Sequence, residues 1–325
     1  MAVRVQVPLA VLNGTNKVAQ VYLYAILYVT FASGARDLRR KSRSRKENKV
    51  LNMKMLGTFL LNHYTDNHMK NHHTYLFTLL VAVALIFANC SGKTHIDELR
   101  NIDVNGVNIV YQVKGNPHSH PVILLHGNGG KHDDLSMMVN QLDSAGYLVY
   151  ALDSRGQGAN APLSEYHYTD MAEDVFSFIQ ALHLGHPAIF GWSDGGNIAL
   201  QLEVLHPGTA YAIITSGANI FPEGLTPELW AEFSQLKLQD SVPALTRMML
   251  YEPQMTFCEM QTIPCHALIV AGEYDLIDSA HTRAIAEHIP HGQALFIPGE
   301  DHGSHIYKSP VMGKVLLEYF QEINY

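Results

Sequence analysis

The 325-residue sequence is poor in cysteine, in tryptophan and, over most of its length, in positive charge. Three cysteines cannot build a disulfide framework, and no H-E-x-x-H or paired C-x-x-C stands ready to hold zinc. The His118-Ser119-His120 stretch lies in a polar turn without convergent ligands, so no metal site is expected. No glycine-rich dinucleotide fingerprint follows the first strands, and no cofactor is expected either. From Lys93 onward, 10 lysine and arginine residues stand against 27 aspartate and glutamate residues, a formal balance of −17. A surface that acidic repels phosphate backbones and argues against nucleic acid as a partner. Neutral or cationic small molecules fit it better.

Long apolar runs are also missing. The main one, YLFTLLVAVALIFA at 75–88, is shorter than the ~20 residues a spanning helix needs. It follows Lys70, His72 and His73 and precedes the small residues of NCSG, which is the layout of a secretory signal peptide beginning at Met69. The expected organisation is therefore an N-terminal extension at 1–68, of the kind a misassigned start produces, a signal peptide or membrane anchor at 69–92, and one folded domain at 93–325. The extension carries a weaker apolar run at 18–31 and a basic stretch at 36–49. It reads either as a functionless extension or as a membrane segment with a positive-inside flank, and so allows membrane association. The expected location is outside the cytoplasm: periplasmic, secreted or membrane-anchored. Cys90 follows FAN, similar to a lipoprotein cleavage site except for Phe87 and Asn89. In an exported chain Cys258 and Cys265 could pair.

Beyond residue 93, short apolar runs alternate with amphipathic stretches. PVILLHG (121–127), YLVYALD (147–153), PAIFGW (187–192), AYAIITSG (210–217), HALIVAG (266–272) and QALFIPG (293–299) read as strands. Their nearly continuous Val, Ile, Leu and Ala content suits strands covered on both faces, hence a parallel sheet. The stretch at 104–113 reads as an antiparallel hairpin at the edge. Helices are expected just before the second of these strands and at 169–184, 195–207, 278–289 and 311–323. In the 169–184 segment Met171, Val175, Phe178, Ile179 and Leu182 recur at helical spacing. The expected fold is α/β, a doubly wound, mostly parallel sheet. Residues 218–262 interrupt the alternation with apolar residues but no clear strand. A segment that long between two strands reads as a small helical lid, with Trp230 and Met248 as candidate substrate-pocket residues.

The chemistry centres on Gly191-Trp192-Ser193-Asp194-Gly195, a G-x-S-x-G at the end of one strand and the start of a helix. The glycines let the serine sit on a strained turn with its oxygen proud of the sheet. A serine hydroxyl is a weak nucleophile at neutral pH, so it needs a base in reach and an acid to orient that base. On such a sheet the acid and then the histidine follow the serine, each after a later strand. Asp275 and His302 stand there, with Glu273, Asp278 and His305 as rivals. Asp275 is preferred over Asp278, which is well placed to cap the next helix. Fifteen histidines follow Lys93, and position after the last strand singles out His302. The oxyanion formed on attack needs backbone N–H donors, expected from Asp194 and, in the HGNGG loop (126–130), from Asn128. His126 is taken as a structural histidine of that loop.

HGNGG, DSRGQG (153–158), GWSDGG, GEYD and GEDH occur in the order of the α/β-hydrolase family over residues 104–323, and the sequence resembles that family. The GWSDGG turn is similar to that of the biphenyl hydrolase-like, or valacyclovirase, branch. That resemblance implies a serine hydrolase of small carboxylic esters, amino-acid esters among them. A carboxylate beside a developing oxyanion opposes it unless a cation intervenes, so the Asp194 side chain could hold a substrate ammonium; otherwise it favours the helix N-terminus or pairs elsewhere. Amide, lactone and carbon-carbon hydrolysis use the same triad, and a non-catalytic small-molecule receptor is the reading from outside enzymology.

Overall fold

The computed structural model describes residues 95–239 and 241–325. The signal-peptide reading, the basic extension and Cys90 lie outside these residues. Among the described residues no helix is long and apolar enough to cross a membrane.

Eight strands form one sheet in the order β1-β2-β4-β3-β5-β6-β7-β8. β1 (Ile96–Val104) and β2 (Val107–Gly115) make an antiparallel hairpin, and β2 also runs antiparallel to β4 (Leu148–Leu152). β3 (Pro121–Leu125), β5 (Ala188–Trp192), β6 (Ala212–Ser216), β7 (His266–Tyr274) and β8 (Gly292–Asp301) continue the sheet in parallel from β4. The hairpin is longer than the sequence pattern indicated. It turns at Asn105-Gly106, but its first strand begins at Ile96 and carries exposed polar residues, so apolar patterning does not reveal it.

The helices are α1 (Ser136–Ser144), α2 (Tyr168–Leu182), α3 (Asp194–Leu205), α4 (Pro227–Phe233), α5 (Ala244–Tyr251), α6 (Phe257–Met260), α7 (Ser279–His288) and α8 (Val311–Glu322). They cover both faces of the sheet. Ile123 and Leu125 of β3 pack into one core with α2, α3 and α7, whereas Val122 and Leu124 pack into a second with α1 and α8. Successive side chains of a strand point to opposite faces, so a strand covered on both must be apolar throughout. β4 and β6 are buried at every position.

The segment between β6 and β7 is helical, as the missing strand signal indicated. It consists of α4, α5, α6 and two 3-10 turns, Pro222–Gly224 and Ser234–Leu238. Its start is stitched to the loop after β7 by Thr226 N–H to Leu276 O at 2.9 Å and Asp278 N–H to Gly224 O at 2.9 Å. Near its far end the Glu252 carboxylate accepts the Tyr168 N–H at 3.0 Å and meets His167 Nδ1 at 2.6 Å. Cys258 is exposed and Cys265 buried, and both are free thiols rather than a disulfide.

Candidate active site

Parallel strands with helices on both faces bring their carboxyl ends to one edge, where the loops gather. Ser193 sits between β5 and α3 with φ 54° and ψ −116°, a conformation non-glycine residues rarely adopt. Two glycines make that turn sterically feasible. A Cβ on Gly191 would lie 2.1 Å from Gly195 O, and one on Gly195 would lie 2.3 Å from Leu125 O. The Ser193 N–H is held by Ser216 O at 2.8 Å, which fixes the turn against β6.

The side chains of Ser193, His302 and Asp275 form one hydrogen-bonded line. Ser193 Oγ is 3.0 Å from His302 Nε2, and His302 Nδ1 is 2.7 Å from Asp275 Oδ1. Asp275 also accepts the N–H of Ile277 on Oδ1 and of Gly272 on Oδ2, each at 3.1 Å. Burial pushes the Asp275 carboxyl up, but the hydrogen bond and charge of His302, with the two backbone donors, outweigh it and hold the group below the usual carboxylate value. An ionised Asp275 fixes the proton of His302 on Nδ1 and leaves Nε2 to accept from the serine hydroxyl. The His302 loop is braced by Trp192, whose indole N–H donates to His302 O at 2.8 Å.

The rivals stand elsewhere. His305 is fully buried and pairs its Nε2 with Ser216 Oγ at 2.7 Å. Asp278 caps α7 by accepting the Ala280 N–H, and Glu273 accepts the Gly299 N–H.

The loop after β3 faces the serine turn. Gly127 O is held by two donors, His126 Nδ1–H at 2.7 Å and Gly130 N–H at 3.0 Å. Because the peptide is planar and trans, its N–H, that of Asn128, points the opposite way from that carbonyl. Neither the Asn128 nor the Asp194 N–H meets an acceptor among the described residues. The DSRGQG loop supports this arrangement. Ser154 N–H donates to His126 Nε2 at 3.0 Å, and Gln157 Oε1 accepts the Gly129 N–H at 2.7 Å.

Asp194 is 3% exposed and its carboxylate is engaged by two neutral donors, the Tyr168 hydroxyl at 2.6 Å and Asn128 Nδ2 at 2.8 Å. Burial pushes its carboxyl above the ordinary value, against the pull of both hydrogen bonds. Of the two lid residues expected in the pocket, Trp230 is half-buried in α4 with the Lys237 ammonium 4.9 Å from its ring. Met248 is 4% exposed and packs into the core with α2 and α3, because α5 needs its apolar stripe covered. Sequence reasoning missed Tyr168 and Gln157. Tyr168 opens an amphipathic helix and reads as core, and nothing local marks Gln157 as an acceptor for the facing loop.

A family profile described as the alpha/beta hydrolase fold matches residues 120–242. The human serine hydrolase BPHL is 26% identical over 253 residues, spanning 68% of this chain and 85% of that protein. Among solved structures, an enol-lactonase from Burkholderia xenovorans superposes with a TM-score of 0.58 at 18% identity, covering 68% of this chain and all of that one. An esterase from a Rhodococcus species gives 0.57 at 19% identity over 69% of this chain and 99% of its own.

Proposed function

We propose that this chain, which has the α/β-hydrolase fold and resembles the biphenyl hydrolase-like serine hydrolases, cleaves small carboxylic esters through an acyl-enzyme on Ser193. The observation that carries this reading is the Ser193–His302–Asp275 line, at 3.0 and 2.7 Å, together with two backbone N–H groups that meet no acceptor among the described residues. Ser193 Oγ attacks the ester carbonyl carbon while its proton passes to His302 Nε2. The carbonyl oxygen, now an anion, takes the N–H groups of Asn128 and Asp194. Asp275 steadies the imidazolium through Nδ1. The ester C–O bond then breaks, His302 returns the proton to the leaving alcohol, and the acyl group stays on Ser193. Water repeats the sequence in the second half, with His302 taking its proton and then restoring that of Ser193 as the carboxylic acid leaves.

For the acyl part, Asp194 is the carboxylate next to the nucleophile, and its hydrogen-bond partners are neutral. A substrate ammonium would supply its missing cation and favour amino-acid esters. Trp230 is the lid's candidate for contact with the substrate, whereas Met248 is taken up by the core. The signal-peptide layout supports export, and a mass measurement of the mature N-terminus tests it.

The experiment is labelling with a fluorophosphonate alongside an ester panel. The parent protein takes one label and hydrolyses short acyl esters, and Ser193→Ala folds but loses both. A labelled Ser193→Ala protein overturns the assignment of the nucleophile. Saturable ligand binding without turnover of any ester, amide or lactone replaces the enzyme with a receptor.

A further inference from the structure

Asp194 enters the site twice. Its backbone N–H stands at the start of α3, and its buried carboxylate reaches across to the loop after β3, where Oδ2 accepts from Asn128 Nδ2 at 2.8 Å. Asn128 and Asp194 are the two residues whose N–H groups serve the oxyanion in the reading above, yet they lie on separate loops 66 positions apart. The side-chain hydrogen bond is therefore a direct brace between the two halves of that site.

Gly127 is buried against the serine turn, but the tip of the loop after β3, from Asn128 to Gly129, has little packing to fix it. Asn128 is flanked by glycines, and around the would-be Cβ of Gly129 nothing lies within 4 Å. Its position depends on hydrogen bonds: His126 and Gly130 on Gly127 O, Gln157 on the Gly129 N–H, and Asp194 on the Asn128 side chain.

The brace has its own support. The Tyr168 hydroxyl donates to Asp194 Oδ1 at 2.6 Å and so selects the orientation of the carboxylate. The Tyr168 side chain is 1% exposed, and its N–H is tied to Glu252 of the lid at 3.0 Å, so the ring has no room to swing.

We propose that the Asp194 carboxylate is a clasp that sets the spacing of the two oxyanion donors, and that Tyr168 is the positioning residue that holds the clasp. The proposal rests on the serine-hydrolase reading. Displacing a donor by about an ångström is enough to cost on the order of 100-fold in rate, so a single side-chain hydrogen bond between the loops controls turnover.

The test uses Asn128→Ala, Tyr168→Phe and the double variant, with kcat and KM measured on an alanyl ester and its des-amino analogue, per active site titrated with fluorophosphonate. Benzeneboronic acid serves as the probe of the anionic tetrahedral state. Asn128→Ala keeps the backbone N–H but cuts the clasp. Its kcat falls about 10- to 100-fold on both esters with KM within about twofold, and boronate affinity falls by the same factor. Tyr168→Phe keeps the ring and loses about 3- to 10-fold in the same two readouts. The double variant falls little below Asn128→Ala alone, because the clasp is already open. The clasp is overturned if Asn128→Ala keeps kcat and boronate affinity within twofold of the parent, or loses kcat on the alanyl ester only while boronate affinity is unchanged. A lower thermal midpoint with unchanged kcat per titrated site likewise overturns it. A parent protein that turns over no ester and takes no fluorophosphonate fails the hydrolase reading itself, a result distinct from all of these.

Discussion

Replacing His126 by asparagine and, separately, by glutamine splits its two hydrogen bonds between two proteins. His126 is 1% exposed, donates from Nδ1 to Gly127 O at 2.7 Å and accepts the Ser154 N–H on Nε2 at 3.0 Å. Burial holds its pKa below the ordinary histidine value, against the opposing pull of the Gly127 carbonyl, so the ring stays neutral and Nε2 stays free to accept. An asparagine amide nitrogen lies as many bonds from Cα as Nδ1 and keeps the donation to Gly127 O, but leaves the buried Ser154 N–H without an acceptor. A glutamine amide reaches the position of Nε2, accepts from Ser154 and leaves Gly127 O with the Gly130 N–H alone.

The magnitudes separate the two. An unpaired buried donor costs about 1–3 kcal/mol of stability, which falls on His126→Asn. Losing one of the two hydrogen bonds that orient the Gly127–Asn128 peptide removes about 0.5–1.5 kcal/mol of preference for the aligned state, a factor of roughly 2 to 13. Complete loss of an oxyanion donor sets the ceiling, about 100- to 1,000-fold. The expected result is a cross-over: His126→Asn keeps kcat within about twofold and melts earlier, whereas His126→Gln keeps its melting temperature and loses up to about 13-fold in kcat, below the ceiling set by complete loss of the donor. Steady-state kinetics on a p-nitrophenyl ester and a thermal melt measure both. The opposite pattern, with glutamine active and asparagine slow, would refute the idea that the Nδ1 hydrogen bond aims the Asn128 N–H.

Three further outcomes follow from the geometry. Asp275→Asn removes the acceptor that keeps the His302 proton on Nδ1, so kcat drops by as much as about 10,000-fold while the fold is retained; activity within tenfold of the parent assigns the orienting acid elsewhere. An alanyl ester outpaces its des-amino analogue in kcat/KM if Asp194 takes the substrate ammonium, and equal values remove that role. His281 is buried with its Nε2 accepting the Ile220 N–H at 3.1 Å, and burial lowers its pKa to about 4. Between that value and the ordinary 6.5 the unfolded chain binds the extra proton. Stability is thus full above the ordinary value and lost as the pH falls toward 4, at up to about 1.4 kcal/mol per pH unit. Denaturant titrations at several pH values measure the slope, and a His281→Gln slope equal to that of the parent shows that other groups set the acid sensitivity.

Much of the fold was legible because its signals are local. Strands covered on both faces must be apolar at every position, and PVILL and LVYAL declare that in five residues each. The first hairpin strand was not legible, because β1 lies at the sheet edge and its exposed polar residues carry no periodic signal. The serine turn was legible for a steric reason, since the glycines at 191 and 195 occupy positions where a Cβ would collide with backbone.

The sequence by itself determined the parallel strands of the sheet, the helical segment between β6 and β7, and a strained serine with an acid and a histidine placed later in the chain. These follow from residue spacing and from the order in which parallel strands must be threaded. Only the tertiary structure decided which donors take the two oxygens of Asp194, one 26 and the other 66 positions away. It alone also showed what occupies His305, the rival to His302: its Nε2 pairs with Ser216. The physical reason is that a buried polar group must be paired by whatever donor or acceptor the packing brings within about 3 Å. That partner is chosen by strand order and loop reach, which neighbours along the chain do not encode.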